Sequence, residues 1–128
     1  MAIKLKTVIL ECNDIPQLLS FYTGLLHWPV VFELDTFVGI HSDEEEMGIA
    51  FQYDENYIPP TWPSQPGQQQ MMAHLDFAVA DKNELKEAIG KAIKLGAKIA
   101  NEQYGGEEWV TMLDPAGHPF CFVVWNNS

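Results

Sequence analysis

Residues 74–81, HLDFAVAD, together with the segment that follows them, decide the fold of this 128-residue chain. The stretch alternates its side chains as a half-buried strand does, and it ends in Asp81. Residues 82–96 (KNELKEAIGKAIKLG) then place an apolar stripe on one face of a helix, made up of Leu85, Ala88, Ile89, Ala92 and Ile93. Gly96 is the expected C-terminal stop of this helix. Three more β-prone segments follow, AKIA, EWVTMLD and PFCFVVW, so this half predicts the order β-α-β-β-β.

The first half of the chain repeats this order. Sliding it by 67 residues places Thr7 on His74 and Asp14 on Asp81. TVILECND (7–14) predicts a strand, and IPQLLSFYTGLL predicts a helix with Asp14 as its N-cap and Pro16 in its first turn. The apolar face of that helix comprises Ile15, Leu18, Leu19, Tyr22, Leu25 and Leu26. HWPVVFEL, TFVGIH and MGIAFQY predict three further strands, so we expect a duplicated module.

The repeat predicts an α+β fold and a single domain over residues 1–128. Module one spans about residues 1–56 and module two about residues 71–128. Between them lies YIPPTWPSQPGQQQ (57–70), whose four prolines exclude a helix or a central strand. Tyr57 and Trp62 in this stiff segment are expected to be exposed contact residues.

The composition narrows the classes of partner. The chain carries a net charge of −11, and all seven of its basic residues are lysines. Nucleic-acid binding requires a basic face, so we exclude that class. Without arginine, the chain has no bidentate fork for a phosphate or carboxylate. An acidic surface suits a neutral or cationic ligand, whereas SDEEEMG (42–48) is best interpreted as a solvated loop.

Cysteine content and hydropathy indicate the compartment. No apolar run approaches the ~20 residues of a membrane helix, and the N-terminus enters a strand without the features of a signal peptide. Cys12 and Cys121 suit a reducing compartment, and the predicted strand phases place them on opposite faces of the sheet, where they cannot form a disulfide. We therefore expect a cytoplasmic protein that has no membrane partner.

Six segments that cover nearly the whole chain carry a family resemblance: DIPQLLSFYTGLLHWPV, IAFQ, PPTWP, HLDFAVAD, LGA and DPAGHPF. In them the sequence resembles the vicinal oxygen chelate superfamily, which includes glyoxalases, bleomycin-resistance proteins and dioxygenases, and in particular its glyoxalase-like domain subfamily. The resemblance implies two βαβββ modules that form a curved mixed sheet around a shared cavity, with the helices on the outside. It also implies a homodimer, in which the PPTWP loop is a candidate to cross between chains.

The resemblance also bears on metal binding. Metal-dependent members take four ligands from equivalent strand positions of the two modules, and these positions fall on Thr7, Gln52, His74 and Cys121. Only His74 is a usual ligand type there, because glutamine and threonine are poor ligands for Zn²⁺, Ni²⁺ or Fe²⁺. One histidine and one cysteine are fewer than the three protein ligands of an ordinary site. We therefore predict no metal and no other cofactor.

Strand alternation indicates which side chains line the pocket, if the ligand-equivalent positions face it. The pocket side then comprises Thr7, Ile9, Glu11, Gly48, Ala50, Gln52, His74, Asp76, Ala78, Cys121, Val123 and Trp125. Phe120, Phe122 and Val124 are expected to pack under the helices. The predicted ligand-binding residues are Glu11, Gln52, Trp62, His74, Asp76, Cys121 and Trp125.

The roles of the polar pocket residues stay open at this point. His74, with Asp76 or Glu11, is a candidate acid–base group, but it is equally interpreted as a histidine satisfied by one of those carboxylates. Cys121 is more typical of an inert buried thiol than of a nucleophile.

Three hypotheses for the function follow. The favoured one is a glyoxalase/bleomycin-resistance-like protein that binds a small neutral or cationic aromatic compound in a metal-free cavity. The alternative is a lyase, isomerase or dioxygenase-type enzyme that uses His74 with Asp76 or Glu11, with a divergent metal site as a further variant. The third is a module that only dimerises.

Overall fold

In a computed structural model, which describes residues 1–125, the chain runs through the order β-α-β-β-β twice. The first module consists of β1 (Thr7–Cys12), α1 (Ile15–Leu26), β2 (Val30–Leu34), β3 (Phe37–His41) and β4 (Gly48–Tyr53). The second consists of β5 (Leu75–Val79), α2 (Lys82–Lys94), β6 (Lys98–Ile99), β7 (Trp109–Leu113) and β8 (Pro119–Val124). Neither helix has the length and apolar character needed to span a membrane.

Each module folds its strands into a mixed sheet of the same topology. The strand order is β1-β4-β3-β2 in one sheet and β5-β8-β7-β6 in the other. The pairs β1/β4 and β5/β8 are parallel, and the remaining pairs are antiparallel. The chain divides into two compact units, Met1–Tyr57 and Ile58 onwards. The predicted α+β fold with two βαβββ modules is confirmed.

The aspartates that follow β1 and β5 begin the helices. Asp14 Oδ1 accepts a hydrogen bond from the backbone N–H of Gln17 at 3.1 Å, which confirms the predicted N-cap. Asp81 Oδ1 accepts one from Glu84 N–H at 2.8 Å in the equivalent position. A side-chain acceptor at this position satisfies a backbone donor that the helix itself leaves unpaired.

Helix α2 ends at the predicted glycine. Gly96 adopts a φ of +116°, which residues with a Cβ rarely tolerate. The N–H of Gly96 donates to Ile93 O at 3.1 Å, and the N–H of Ala97 donates to Ala92 O at 2.9 Å. These two bonds form a Schellman motif, which satisfies the last carbonyl groups of the helix.

The helix faces differ in detail from the predicted stripes. In α1 the buried residues are Ile15, Leu18, Phe21, Tyr22 and Leu25, so Phe21 joins the core while Leu19 and Leu26 are only half-buried. Tyr22 stacks on Phe51 of β4, with ring centroids 5.6 Å apart. In α2, Leu85 and Ala92 are buried but Ile93 is 47% exposed, which corrects the prediction. The outer strand β6 has only two residues, so the last turn of α2 has little sheet to pack against.

The segment HPFCFVVW forms the centre of the second core, as predicted. Phe120 and Phe122 of β8 are buried, and their rings lie edge to face at 5.4 Å. Phe77 of β5 packs edge-on against Phe120 at 5.9 Å. Ring pairs of this geometry add to the stabilisation that burial of their area supplies.

Strand β1 shows the predicted alternation, whereas the first half of β4 does not. Cys12 is buried on one face of β1, and Ile9 and Glu11 are exposed on the other. Gly48 and Ala50 are paired with Thr7 and Ile9, so they lie on the predicted face of β4, although both are buried. Gly48 lies beneath the Thr7 hydroxyl and the His41 ring, and these two larger neighbours cover it.

Candidate functional site

The open face of the second sheet carries a polar row beside an apolar row. In the polar row, the strand register places Asp76 of β5 and Thr111 of β7 on either side of Cys121. In the next row, Ala78 and Trp109 flank Val123 in the same way. Directly paired residues project their side chains to the same face, and rows two residues apart lie about 7 Å from one another. The opposite face carries the phenylalanines of the core.

His74, Asp76 and Cys121 form the most concentrated chemical group on this face. The imidazole Nε2 of His74 lies 3.2 Å from Asp76 Oδ1, and both side chains are partly exposed. Potential ligand atoms of all three residues lie within 4.8 Å of one another. Of the two carboxylates proposed for His74 from the sequence, the structure places Asp76 beside it.

The Cys121 thiol is the buried member of the group. Burial raises the pKa of this thiol above its usual value, and the nearby carboxylate of Asp76 raises it further. A hydrogen bond with Thr111, whose Oγ1 lies 3.3 Å from Cys121 Sγ, acts in the opposite direction. Because the raising effects prevail, the thiol is protonated at neutral pH and is a weak nucleophile.

Two residues of this face, Thr111 and Trp109, were not among the predicted ligand contacts. Both belong to β7, whose alternation is readable in EWVTMLD, but only the register with β8 shows that they share a face with Cys121. Trp109 is partly exposed, and a Cβ at Gly105 would overlap its indole ring, so glycine lets the ring lie against the backbone. Trp125, predicted to be a ligand contact, is exposed and donates its backbone N–H to Val79 O at 2.9 Å.

A glutamine holds the β7 end of the polar row in place. Gln103 Oε1 accepts from the backbone N–H of Thr111 at 2.9 Å. Its Nε2 donates to the carbonyl groups of Thr111 and Ala100, both at 2.8 Å. A side-chain amide that satisfies three backbone groups pins the strand, and therefore fixes Thr111 relative to Cys121.

The open face of the first sheet presents a different set of side chains. Glu11 pairs with Gln52, and Gln52 pairs with Phe37, so these residues form one row. Both polar residues of this row are exposed. The Phe32 ring stacks on Phe37 at 5.3 Å and lies over Gly39, where a Cβ would overlap it. As on the second sheet, polar side chains here lie next to aromatic rings: a carboxylate and an amide share this face with two phenylalanines.

The proline-rich segment differs from its prediction. Residues 57–70 form no helix or strand, as expected, but Tyr57 and Trp62 are half-buried rather than exposed. The indole N–H of Trp62 donates to Glu102 O at 3.0 Å, and its ring packs edge-on to Tyr104 at 5.8 Å. The indole therefore anchors the segment to the β6–β7 connection, a contact far away in sequence.

The turn before β8 is closed by its aspartate. Asp114 Oδ1 accepts from the backbone N–H groups of Ala116 and His118, at 2.9 and 3.0 Å. Gly117 adopts a φ of +91°, and its N–H donates to Asp114 O at 2.8 Å. His118 therefore belongs to the turn, which its backbone N–H helps to close.

The residues fit a metal ion only in part. Of the four family-equivalent positions, Thr7 and Gln52 offer a hydroxyl and an amide, which are weak donors for transition metals. His74 and Cys121 offer donors that zinc commonly takes, and the structure adds the carboxylate of Asp76 beside them. The donor set that fits a metal ion is therefore this trio of the second sheet and not the family quartet.

Comparisons with known proteins agree with this architecture. A family model described as a glyoxalase-like domain matches residues 7–123. A glyoxalase/bleomycin resistance protein/dioxygenase family enzyme from Burkholderia phytofirmans PsJN has a similar structure, with a TM-score of 0.68 and 18% identity over 91% of this chain and 94% of that chain. No curated protein matches the chain significantly.

Two further solved structures share the fold. A variant of the fosfomycin resistance protein FosX from Listeria monocytogenes, complexed with Mn(II) and a dihydroxypropylphosphonic acid, has a TM-score of 0.73 and 13% identity. The match covers 99% of this chain and 94% of that chain. A possible glyoxalase from Bacillus cereus has a TM-score of 0.70 and 10% identity, covering 95% of this chain and 99% of that chain. At such identities the likeness concerns the fold alone.

The family model and the two βαβββ modules define the class of protein as glyoxalase-like, and the fold is shared with the glyoxalase/bleomycin resistance/dioxygenase structures described above. Within that class the family model covers nearly the whole chain. The chain belongs to the glyoxalase-like domain family.

Proposed function

We propose that this protein binds a small neutral or cationic aromatic compound on the open face of its second sheet, without a resident metal. The observation that carries the proposal is the polar row Asp76–Cys121–Thr111 beside the apolar row Ala78–Val123–Trp109. A few polar groups on an otherwise apolar wall are typical of small-molecule sites. Trp125, which follows β8, adds a second exposed indole, and we include it with His74 among the ligand contacts.

Charge favours a cation over an anion at this face. Asp76 is exposed in the polar row, and neither row contains a lysine. Lys98 of the outer strand β6 pairs with Leu113, so it lies on the same face in the row beyond the polar row, at the far edge of the sheet from Asp76. An indole also attracts a cation through the negative electrostatic potential of its ring face. A compound with a positive group and an aromatic ring would therefore use both rows.

The acidic composition argues against the ligand chemistry of one structural neighbour. The FosX structure contains a phosphonic acid. This chain has no arginine, the residue best suited to bind such an anion through two parallel hydrogen bonds. We expect fosfomycin to leave the thermal unfolding midpoint of this protein unchanged.

Matched probes test the proposal. Benzyltrimethylammonium, benzyl alcohol and benzoate share a phenyl ring but differ in charge, and binding of each raises the unfolding temperature. We expect shifts with the first two and none with benzoate. Asp76→Asn should weaken binding of the cation by a few-fold, because an ion pair with a half-exposed carboxylate contributes at most about 1 kcal/mol, and should leave benzyl alcohol unaffected. Trp109→Leu should weaken both.

Glu87→Gln on the exposed face of α2 is the control for the change in net charge and should alter none of these affinities. Glu11→Gln tests the separate prediction that Glu11, on the open face of the first sheet, contacts the ligand. Substitutions of Gln52 and Trp62, measured with the same probes, test these two further predicted contacts. A screen that yields chiefly carboxylates or phosphonates, with affinities unchanged in Asp76→Asn, would refute the proposed charge preference.

An acid–base enzyme is the second candidate. The observation in its favour is the approach of His74 Nε2 to within 3.2 Å of Asp76 Oδ1, because a carboxylate beside an imidazole orients it for proton transfer. The two candidates are separated by recovering a bound probe after prolonged incubation and examining it by NMR. An unchanged compound supports binding alone. A product that forms with the wild type but not with His74→Gln identifies an enzyme whose reaction depends on His74.

We also infer that the protein is a cytoplasmic homodimer. The absence of a membrane-spanning helix in residues 1–125 is compatible with the predicted compartment, and an exposed apolar edge strand supports self-association.

A further inference from the structure

We propose that residues 58–63 (IPPTWP) form a strap that closes over the open face of the second sheet at the end next to the turn 114–118, and that the Trp62 indole is the latch whose release admits small molecules to Cys121. The strap would control entry to the face where the function proposed above places the ligand, but its test requires no ligand. Every contact that carries the proposal lies within the second unit, Ile58 onwards.

Exposure across the open face falls from β5 towards β7. His74 and Asp76 are exposed, whereas Cys121 and Thr111, which share the row of Asp76, are only 4% and 1% exposed. Pro119 lies two residues before Cys121, and therefore on the same face, and it is buried as well. The face that a sheet turns away from its helix is normally solvated, so a further segment covers the β7–β8 side of this one.

The strap is attached at two places that lie beyond opposite ends of β7. Pro59 packs on Gly117, in the turn after β7, so closely that a Cβ at Gly117 would lie 3.0 Å from Pro59 Cβ. In the connection before β7, Glu102 O accepts a hydrogen bond from Trp62 Nε1 at 3.0 Å, and the indole packs edge-on to Tyr104 at 5.8 Å. A segment that joins these two points runs along the second sheet beside β7.

The strap belongs to the open face because the other face is already occupied. Helix α2 contacts β5, β6 and β8 and covers the face that carries Phe120 and Phe122. Tyr104 precedes Gly105, which lies so close to the Trp109 ring that a Cβ there would overlap it. Trp109 belongs to the apolar row of the open face. The latch therefore stands next to the face on which we place the ligand.

The strap is stiff, and it is held by few contacts. Three of its six residues are prolines, which restrict backbone rotation. Residues 64–70 are all exposed, and the hydrogen bond from Thr61 N–H to Gln69 O, at 2.9 Å, ties their end back to the strap. Trp62 contributes one hydrogen bond and one ring contact. A segment with so few contacts opens locally at much lower cost than the whole fold, so release of this indole is sufficient to expose Cys121.

Thiol accessibility tests the strap. In a Cys12→Ala background Cys121 is the only thiol of the chain, so iodoacetamide reports its exposure. We expect slow modification in this parent and a rate about tenfold or more higher in Trp62→Leu, which loses both latch contacts. Trp62→Phe keeps a ring but loses the N–H donor, so it should accelerate modification about two- to tenfold. Tyr104→Leu, at a residue that is 59% exposed, should act in the same direction.

Trp28→Leu is the matched control, because it removes another half-buried indole, from the first module, and should leave the rate unchanged. Urea below the unfolding transition separates the strap from the fold: local opening is insensitive to it, whereas modification through global unfolding rises steeply with it. Trp62→Phe and Tyr104→Leu keep the test decisive should Trp62→Leu fail to fold. The strap is overturned if these two variants are modified at the parent rate, if Trp28→Leu accelerates modification equally, or if every rate follows urea as global unfolding does.

The probe benzyltrimethylammonium separates the strap from the proposed function. Bound on the open face, it should slow modification of Cys121 in the parent and in Trp62→Phe. If the probe gives no protection while Trp62→Phe and Tyr104→Leu still accelerate modification, the ligand site is refuted and the strap stands. If the probe protects the thiol but both variants match the parent, the strap fails and the ligand site stands.

Discussion

At the scale of single residues, the Cys121 thiol lies in surroundings that oppose its ionisation. Burial is the first cause of its raised pKa, and the Asp76 carboxylate is a further one. In a Cys12→Ala background, we expect the thiolate absorbance of the native protein to appear at a pH above the ordinary thiol value of about 8.5. Asp76→Asn should move that midpoint to lower pH, because the like charge is removed.

The same shift has a consequence for stability. The native state holds the Cys121 proton more tightly than the unfolded state, so this group contributes fully below the ordinary thiol pKa and loses its contribution as pH rises through the native value. Thr111→Val should raise the midpoint further, since the hydrogen bond that lowers the thiol pKa is lost. A midpoint that is the same in the parent, Asp76→Asn and Thr111→Val would show that burial alone sets the pKa.

At the scale of secondary-structure elements, the two aspartate N-caps are equivalent parts of a duplicated module. Asp81→Ala should lower the free energy of unfolding by about 1 kcal/mol, within a range of roughly 0.5–2, because Glu84 N–H loses its acceptor. Asp14→Ala should have a similar effect on α1. Chemical denaturation measures both changes.

Asp81→Ser separates the cap from the charge. Serine removes the same negative charge but retains a side-chain acceptor, so its stability should stay within a few tenths of a kcal/mol of the parent. If alanine and serine destabilise equally, the carboxylate acts through charge and not through the hydrogen bond.

At the scale of the whole molecule, strand β2 is the feature that predicts self-association. It is an edge strand, exposed along its whole length, and Val31 and Leu34 are 56% and 66% exposed. The other sheet carries Lys98 on its outer strand β6, and lysine is the charged residue that most discourages strand pairing, whereas the charged residue of β2 is Glu33. We expect light scattering at micromolar concentration to give the mass of a dimer.

Leu34→Lys should shift this dimer towards the monomer, because a charge on the apolar edge must be desolvated when a second copy pairs with it. Ile93→Lys, at an exposed aliphatic residue of α2 that is distant in sequence from both β2 and the PPTWP loop, is the control and should leave the mass unchanged. Salt should strengthen the dimer, since each copy carries a net charge of −11. A monomeric mass for the wild type would disprove the dimer, and a dimer that resists Leu34→Lys would place its interface elsewhere.

Local patterns in the sequence determined the helices and strands, their order, and in large part which side chains lie on which face of each element. Helical and strand periodicities depend on neighbours a few residues away, so the repeated βαβββ order, the cap at Asp14 and the stop at Gly96 were all readable in one dimension. The same alternation placed Asp76 and Cys121 on one face of their strands.

Only the tertiary structure decided which of these residues meet. Strand register depends on hydrogen bonds between segments far apart in sequence, and it brings Asp76 of β5, Cys121 of β8 and Thr111 of β7 into one row with Trp109 in the next. The half-burial of Trp62 likewise depends on Glu102 and Tyr104, forty or more residues away. Periodicity determines the face on which a side chain lies. Strand register determines which side chains of the adjacent strands are its neighbours, and no local pattern encodes the register.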